Sequence, residues 1–269
     1  MTDNPARLGL GLISIGREWG FVKDELPSEE QVQDLLQTAI ELGIRFYDTA
    51  PAYGYSEERF GRFLYRLDSA SAARVFVATK CGIHWDFGRG SDYDDNSYDA
   101  LRRSIDQSRF RLPRIDLLQL HRASVDAIAC DDVKRAFEYA GSLGIRNFGA
   151  SVKDMPAAKA ALGDTLYTYV QLPFNLAHPS MQEAFKLATA AGKQVIVNRP
   201  FGMGQLLYDE SQRPNSDDVK TAAYEFVLKQ EFSGVVLTGT KSPLHLRQNV
   251  AAFQWASAKV QQHGGEKDS

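Results

Sequence analysis

The sequence has only two cysteines, Cys81 and Cys130, and neither sits in a CxxC pair or beside histidines at ligand spacing. That argues against a disulfide framework, a structural zinc site and a dithiol redox motif, and points to a reducing compartment. The five histidines, His84, His121, His178, His245 and His263, are scattered, so no metal is expected. An excess of one charge is also missing: 31 Lys+Arg against 34 Asp+Glu leaves a formal net of −3. Neither nucleic acid nor an anionic membrane surface is therefore an expected partner. No apolar run reaches membrane-spanning length, and MTDNPARLGLGLISIG carries one Arg and a Gly-broken apolar stretch, unlike a secretory leader. The expected location is the cytoplasm. No composition shift or Pro/Gly/Ser-rich linker divides the 269 residues, so one large domain is expected over residues 1–256, followed by a polar, frayed tail over 257–269.

What the chain does contain is alternation. Eight short apolar runs read as strands: LGLGLI, RFYD, RVFVATK, IDLLQLH, NFGAS, YVQLPF, QVIVNRP and GVVLTGT. Eight segments with helical spacing lie between or after them, at Ser28–Leu42, Ser56–Tyr65, Tyr98–Phe110, Val133–Leu143, Pro156–Leu162, Met181–Ala190, Ala222–Gln230 and Pro243–Trp255. The first opens with Ser28 and Gln31 in capping-box spacing. Two joints, ELGIRFYDTA and SLGIRNFGAS, look alike, each with a Gly where a left-handed helix cap is required. Strict alternation means parallel strands joined by crossover helices, and strands this apolar are covered on both faces. Eight such units in about 250 residues fit a (β/α)8 TIM barrel, with a doubly wound sheet as the structural rival.

In a barrel, chemistry collects at the C-terminal strand ends. Those ends hold Asp48, Lys80 and His121, with Tyr53 in the loop just past Asp48. A buried Lys needs a carboxylate, which Asp48 can supply, and the ammonium is expected to pull the pKa of Tyr53 down toward neutrality. Gly9, Gly11 and Ser14 form a near miss to GxGxxG, but the next convincing helix begins too far on for a Rossmann site. Cys81, next to Lys80, reads as a buried inert thiol.

The segment from Phe46 to Glu57, FYDTAPAYGYSE, resembles the signature of the aldo-keto reductase family, and VATK ending at Lys80 with LLQLH ending at His121 fits its other two catalytic positions. The resemblance spans about Leu8 to Trp255 and implies a (β/α)8 barrel that interconverts carbonyls and alcohols with NADP(H). It implies Tyr53 as proton donor, Asp48 and Lys80 as its tuning pair, and His121 as the group that orients the carbonyl. For the cofactor it implies Ser151 and Gln171 at the nicotinamide carboxamide, although Val152 stands where an Asn is common. It also implies Arg199, Gly202 and Gly204 near the pyrophosphate, with Asn198 where many members stack a Tyr. Around Gly239, Thr240, Lys241, Arg247 and Asn249, a strand, a Gly turn and a helix start suit an anion, with Lys241 and Arg247 as the 2′-phosphate contacts. Trp19, Trp85 and Phe87 fall where the family lines its substrate pocket.

The substrate expected on this reading is a small-molecule carbonyl or alcohol, possible sugars included, with small activated aldehydes favoured. Two other readings stand beside it. One is a noncatalytic NADPH-binding redox sensor on the same fold, of the kind the potassium channel β subunits illustrate. The other is an aldolase that uses Lys80 as a Schiff-base nucleophile.

Overall fold

A computed structural model of the chain describes residues 6–21, 25–208 and 217–265. Its strands are β1 (Arg7–Gly11), β2 (Phe46–Asp48), β3 (Phe76–Cys81), β4 (Ile83–Asp86), β5 (Ser91–Asp94), β6 (Leu117–Leu120), β7 (Asn147–Ser151), β8 (Tyr169–Pro173), β9 (Gln194–Asn198) and β10 (Gly234–Gly239). Eight of them close a parallel barrel in the order β1-β10-β9-β8-β7-β6-β3-β2. The alternation therefore produces the (β/α)8 barrel, and the doubly wound rival, whose sheet has open edges, does not occur. The eight runs read as strands are the eight barrel strands.

Helices α1 (Ile13–Gly16), α2 (Glu29–Glu41), α3 (Ser56–Leu64), α4 (Ser69–Arg74), α5 (Tyr98–Arg111), α6 (Val125–Ala129), α7 (Asp131–Ser142), α8 (Met155–Gly163), α9 (Gln182–Ala190), α10 (Asp217–Leu228) and α11 (Pro243–Gly265) carry the crossovers. The Ser28 hydroxyl accepts from the Gln31 amide while the Gln31 side chain accepts from the Ser28 amide, which completes the capping box of α2. Gly43 and Gly144 hold φ of +80 and +94, the left-handed caps that the two like joints call for. Helix α11 runs on to Gly265, so residues 257–265 continue a helix rather than fray as expected.

Antiparallel β4 and β5 form a hairpin outside the barrel that the apolar-run reading missed, because its strands are short and polar. A signal was present: the Asp86 carboxylate accepts from the amides of Gly88 and Arg89 at 2.8 and 3.1 Å, an Asp turn ahead of Gly90 at φ +62.

Two-residue alternation decides what faces into the barrel. Phe46, Ala78, Leu117, Ile196, Val235 and Leu237 form a small apolar cluster of their own, with Phe76 and Tyr169 against it. The side chains between them, among them Tyr47, Val77, Leu118, Val195 and Val236, pack instead on the helical layer. Followed two residues toward the C-terminal ends, the inward series of β2, β3 and β6 continues from Phe46, Ala78 and Leu117 to Asp48, Lys80 and Gln119. Cys81 takes the outward parity and joins the helix-side core, where burial pushes its thiol up to about 12, the inert group expected.

Candidate active site

The barrel mouth opens into a cleft of about 350 Å³ lined from the ends of β1, β2, β6, β7, β8, β9 and β10. Asp48, Tyr53, His121, Ser151, Gln171, Arg199, Gly204, Gly239, Thr240 and Lys241 all reach its wall.

Beneath its floor Lys80, 1% exposed, donates to Asp48 Oδ2 at 2.5 Å and to the Thr49 carbonyl at 3.0 Å. Gln119, one strand over, donates to Asp48 Oδ1 at 2.9 Å, so both carboxylate oxygens are held. The Lys80 ammonium lies 4.7 Å from the centroid of the Tyr53 ring, and that ring meets His121 edge-on at 5.7 Å.

The Tyr53 loop is fixed by close backbone packing. Gly54 sits at φ +61, and a Cβ on Gly16 would lie 1.9 Å from the Tyr53 carbonyl oxygen, so α1 approaches the loop as only a glycine permits. Ser56 Oγ donates to the Leu12 carbonyl and shares a hydrogen bond with Thr49 Oγ1. Buried Glu57 accepts from Thr79, Ser108 and Arg111 and so anchors α3 behind Lys80. Of these supports, only the FYDTAPAYGYSE resemblance gave any sign.

Electrostatics correct one expectation. Burial opposes the Lys80 charge, yet the Asp48 carboxylate and Tyr53 outweigh it and lift the ammonium above the ordinary lysine value. For Tyr53, burial is the largest effect and raises the phenol above its ordinary value, although Lys80 and Arg17 pull downward. The net shift is upward rather than toward neutrality, because an uncharged phenol loses less on desolvation than a phenolate. Tyr53 thus keeps its proton at neutral pH. His121 is held well below the ordinary imidazole value by burial first, then by Lys80, Arg122, Arg17 and Lys153, so it is a neutral ring.

A stability consequence follows for His121. The unfolded imidazole takes up its proton near about pH 6.5 while the folded one does not, so stability is intact above that pH and is lost as pH falls toward the folded pKa. Urea midpoints measured from pH 7 to pH 5 should fall more steeply for the wild type than for His121→Asn; parallel curves would refute the assignment.

Not every expected residue reaches the cleft. Gly202 does not contribute to its wall. Arg247 turns toward Glu41 of α2, with Nη2 at 3.8 Å from the carboxylate and about half its side chain exposed. Asn249 is buried beneath the rim and donates to Thr238 Oγ1 at 2.8 Å. These two miss because the α11 register turns residues four and six past Pro243 away from the mouth. Lys241 and His245 take their place on the wall; Lys241 Nζ donates to the Glu25 carbonyl at 2.6 Å. Trp19 lines the cleft, whereas Trp85 and Phe87 line a separate cavity under the hairpin.

Four polar atoms on the cleft residues are buried without a partner: Arg17 Nε, His121 Nδ1, Gln171 Oε1 and Asn198 Oδ1. Buried polar groups are rarely left unpaired, so these atoms are open to hydrogen bonds from a molecule in the cleft. Among the described residues no group of His, Cys, Asp or Glu is arranged to hold a metal ion, and no helix is long and apolar enough to cross a membrane.

Residues 7–221 match the description of the Aldo/keto reductase family. The chain belongs to that family of oxidoreductases. Its curated relatives include an uncharacterized oxidoreductase of Bacillus subtilis (strain 168), 26% identical with 92% of this chain and 87% of that protein covered. A pyridoxal 4-dehydrogenase of Microbacterium luteolum is 25% identical, with 92% and 89% covered. Among solved structures, a Pseudomonas aeruginosa protein assigned to the aldo-keto reductases superposes with a TM-score of 0.78 at 29% identity, covering 93% of this chain and 89% of that one. The aldo-keto reductase FYDTAPAYGYSE segment thus forms the loop that carries Tyr53 to the floor of the cleft.

Proposed function

We propose that this aldo-keto reductase interconverts small carbonyl compounds and alcohols with NADP(H), with Tyr53 as the proton donor. The observation that carries the reading is the placement of Tyr53: a protonated phenol beside a buried ammonium and a neutral imidazole, on the floor of a cleft with unpaired amide groups on its far wall.

Bound nicotinamide supplies the hydride for reduction and accepts it for oxidation. The residues supply the rest. Gln171 and Asn198 offer their unpaired carbonyl oxygens to an amide such as a carboxamide, and Ser151 lies beside Gln171 in the β7–β8 register. Gly239, Thr240, Lys241 and His245 form the wall at the start of α11, where the Ser242 hydroxyl accepts from the His245 amide. A helix start with a lysine at its edge suits a phosphate. Arg199, at φ +56 on the same wall, adds a second charge.

At the floor, charge develops on the carbonyl oxygen as it is reduced. Tyr53 then donates its proton, and the Lys80 ammonium stabilises the phenolate that remains. Asp48, held by Gln119, keeps Lys80 charged and in place. Neutral His121 offers a ring nitrogen to the same oxygen without adding a competing acid. The Schiff-base reading finds no support, since Lys80 is a buried, paired ammonium off the cleft wall and an amine nucleophile must be deprotonated.

The test is nicotinamide absorbance with a panel of aldehydes and alcohols. Turnover with NADPH is expected; none with any carbonyl or alcohol, under NADPH or NADH, would favour the sensor reading. In the same assay Lys241→Ala should weaken NADPH by about tenfold more than NADH, because a charge-assisted phosphate contact is lost. Arg247→Ala should not discriminate between the two. Equal losses in Lys241→Ala would remove the 2′-phosphate contact from Lys241.

A further inference from the structure

One part of the rim has a role that neither proton donation nor cofactor binding uses. Arg17, the C-cap of α1, and Arg122, directly after His121, converge on a single carboxylate oxygen. Asp92 Oδ2 of the hairpin accepts from Arg17 Nη1 at 3.1 Å and from Arg122 Nη2 at 2.7 Å. Arg17 is also flanked by two indoles, its guanidinium carbon 4.9 Å from the Trp85 ring centroid and 5.4 Å from that of Trp19. Its Nε is buried without a hydrogen-bond partner. Arg122 holds a left-handed backbone, φ +52, a conformation that costs energy in a non-glycine residue.

Both arginines line the cleft, as does Lys153 just beyond Ser151, which has no acidic partner among the described residues. Charges therefore do not cancel here. With Lys80 paired to Asp48, the cations Arg17, Arg122 and Lys153 face Asp92 and Glu18, the latter an exposed side chain on the same wall, and Asp94 is a weaker acid, 65% exposed and 4.0 Å from Arg122. The surplus bears on the reacting pair: Arg17 acts on Tyr53, and Arg17, Arg122 and Lys153 act on His121. Barrel order separates this group from the groups assigned to the cofactor. Tyr53, Arg122 and the hairpin belong to the β2-β3-β6 arc, and Arg17 after β1 and Lys153 after β7 flank it on either side, whereas Gln171, Asn198, Arg199 and Lys241 follow β8, β9 and β10 on the opposite arc.

We propose that Arg17, Arg122 and Lys153 recognise an anionic group on the substrate, so that the preferred substrates are carbonyl compounds bearing a carboxylate, that is, oxo acids and aldehyde acids. This rests on the reductase reading above. Guanidinium groups are planar, always charged and matched to carboxylate geometry, and partial exclusion of water makes the surplus charge worth more than at an open surface. Asp92 fixes both forks while cancelling only one of their two charges. A neutral aldehyde leaves that surplus unsatisfied, which is how a site built for one charge rejects its uncharged analogue. The preference expected from the sequence, small activated aldehydes in general, is thereby narrowed to charged ones.

The experiment compares 4-carboxybenzaldehyde with its methyl ester, which has the same reacting group and nearly the same shape but no charge. In the wild type with NADPH, kcat/KM should favour the acid by about tenfold to a hundredfold. That ratio should shrink as salt rises. It should collapse toward one in Arg122→Gln, and drop further in the exposed-site variant Lys153→Glu, which does not depend on the Asp92 cluster for folding. An acid-to-ester ratio near one in the wild type, or ratios unmoved in both variants, would overturn the proposal while leaving the reductase reading standing. Loss of turnover for acid and ester alike in the wild type would instead strike the reductase reading. A guanidinium cluster that merely pins the hairpin would lower both substrates together and leave the ratio alone.

Discussion

Tyr53→Phe should cut turnover of a good aldehyde by about 10² to 10⁴, the range lost when a positioned general acid is removed. The substitution deletes one hydroxyl and keeps the ring, so its edge contact with His121 and its position over the Lys80 ammonium survive. Cofactor affinity, followed by quenching of tryptophan fluorescence, should stay near the wild-type value, because no proposed cofactor contact involves the phenol. The loss should therefore fall on kcat. Because burial keeps the wild-type phenol protonated well past neutrality, reduction in the wild type should remain active as pH rises from 6 to 8. Near-normal kcat in Tyr53→Phe would remove the residue from the chemistry altogether.

Asp48→Asn should be damaging in a second way, through stability as well as rate. Lys80 and Asp48 are 1% and 3% exposed, so removing the carboxylate charge strands a buried ammonium, a change that costs about 3–5 kcal/mol when one partner of a buried pair is lost. The pH dependence should change character. In the wild type the folded Lys80 pKa lies above its unfolded value near about 10.4, so the pair's contribution is complete below that pH and is lost as pH rises through the folded pKa. In Asp48→Asn, burial no longer meets an opposing carboxylate, the folded pKa drops, and stability should increase with pH instead. Adding Lys80→Met removes the stranded charge and should restore part of the unfolding free energy without restoring turnover. A urea titration between pH 7 and pH 10 distinguishes the cases. A slope of unchanged sign in the single variant would show that the pair is not the electrostatic unit described here.

Local pattern alone located the eight barrel strands and their crossover helices, because each is written in the period of neighbouring side chains. Period two also fixed the parity that carries Lys80 inward beside Asp48 and sends Cys81 outward to the helices. The capping box at Ser28 and the left-handed glycines at 43 and 144 were legible for the same reason: their partners lie within a few residues. The hairpin β4–β5 went unread because polar strands lack apolar periodicity.

Tertiary structure decided the rest. Gln119 supports Asp48 across 71 residues, and Arg17 meets Asp92 across 75; no local rule couples positions so far apart. Arg247 carries the right charge in the right segment, but the turn of α11 delivers it to Glu41 instead of the cleft. The direction of the Tyr53 shift was likewise beyond the sequence. Lys80 pulls it down as its charge requires, yet how deeply the phenol is buried depends on the packing of the whole barrel mouth, and burial prevails. Charge identity is a property of the residue, whereas desolvation and long-range pairing exist only once the chain has closed.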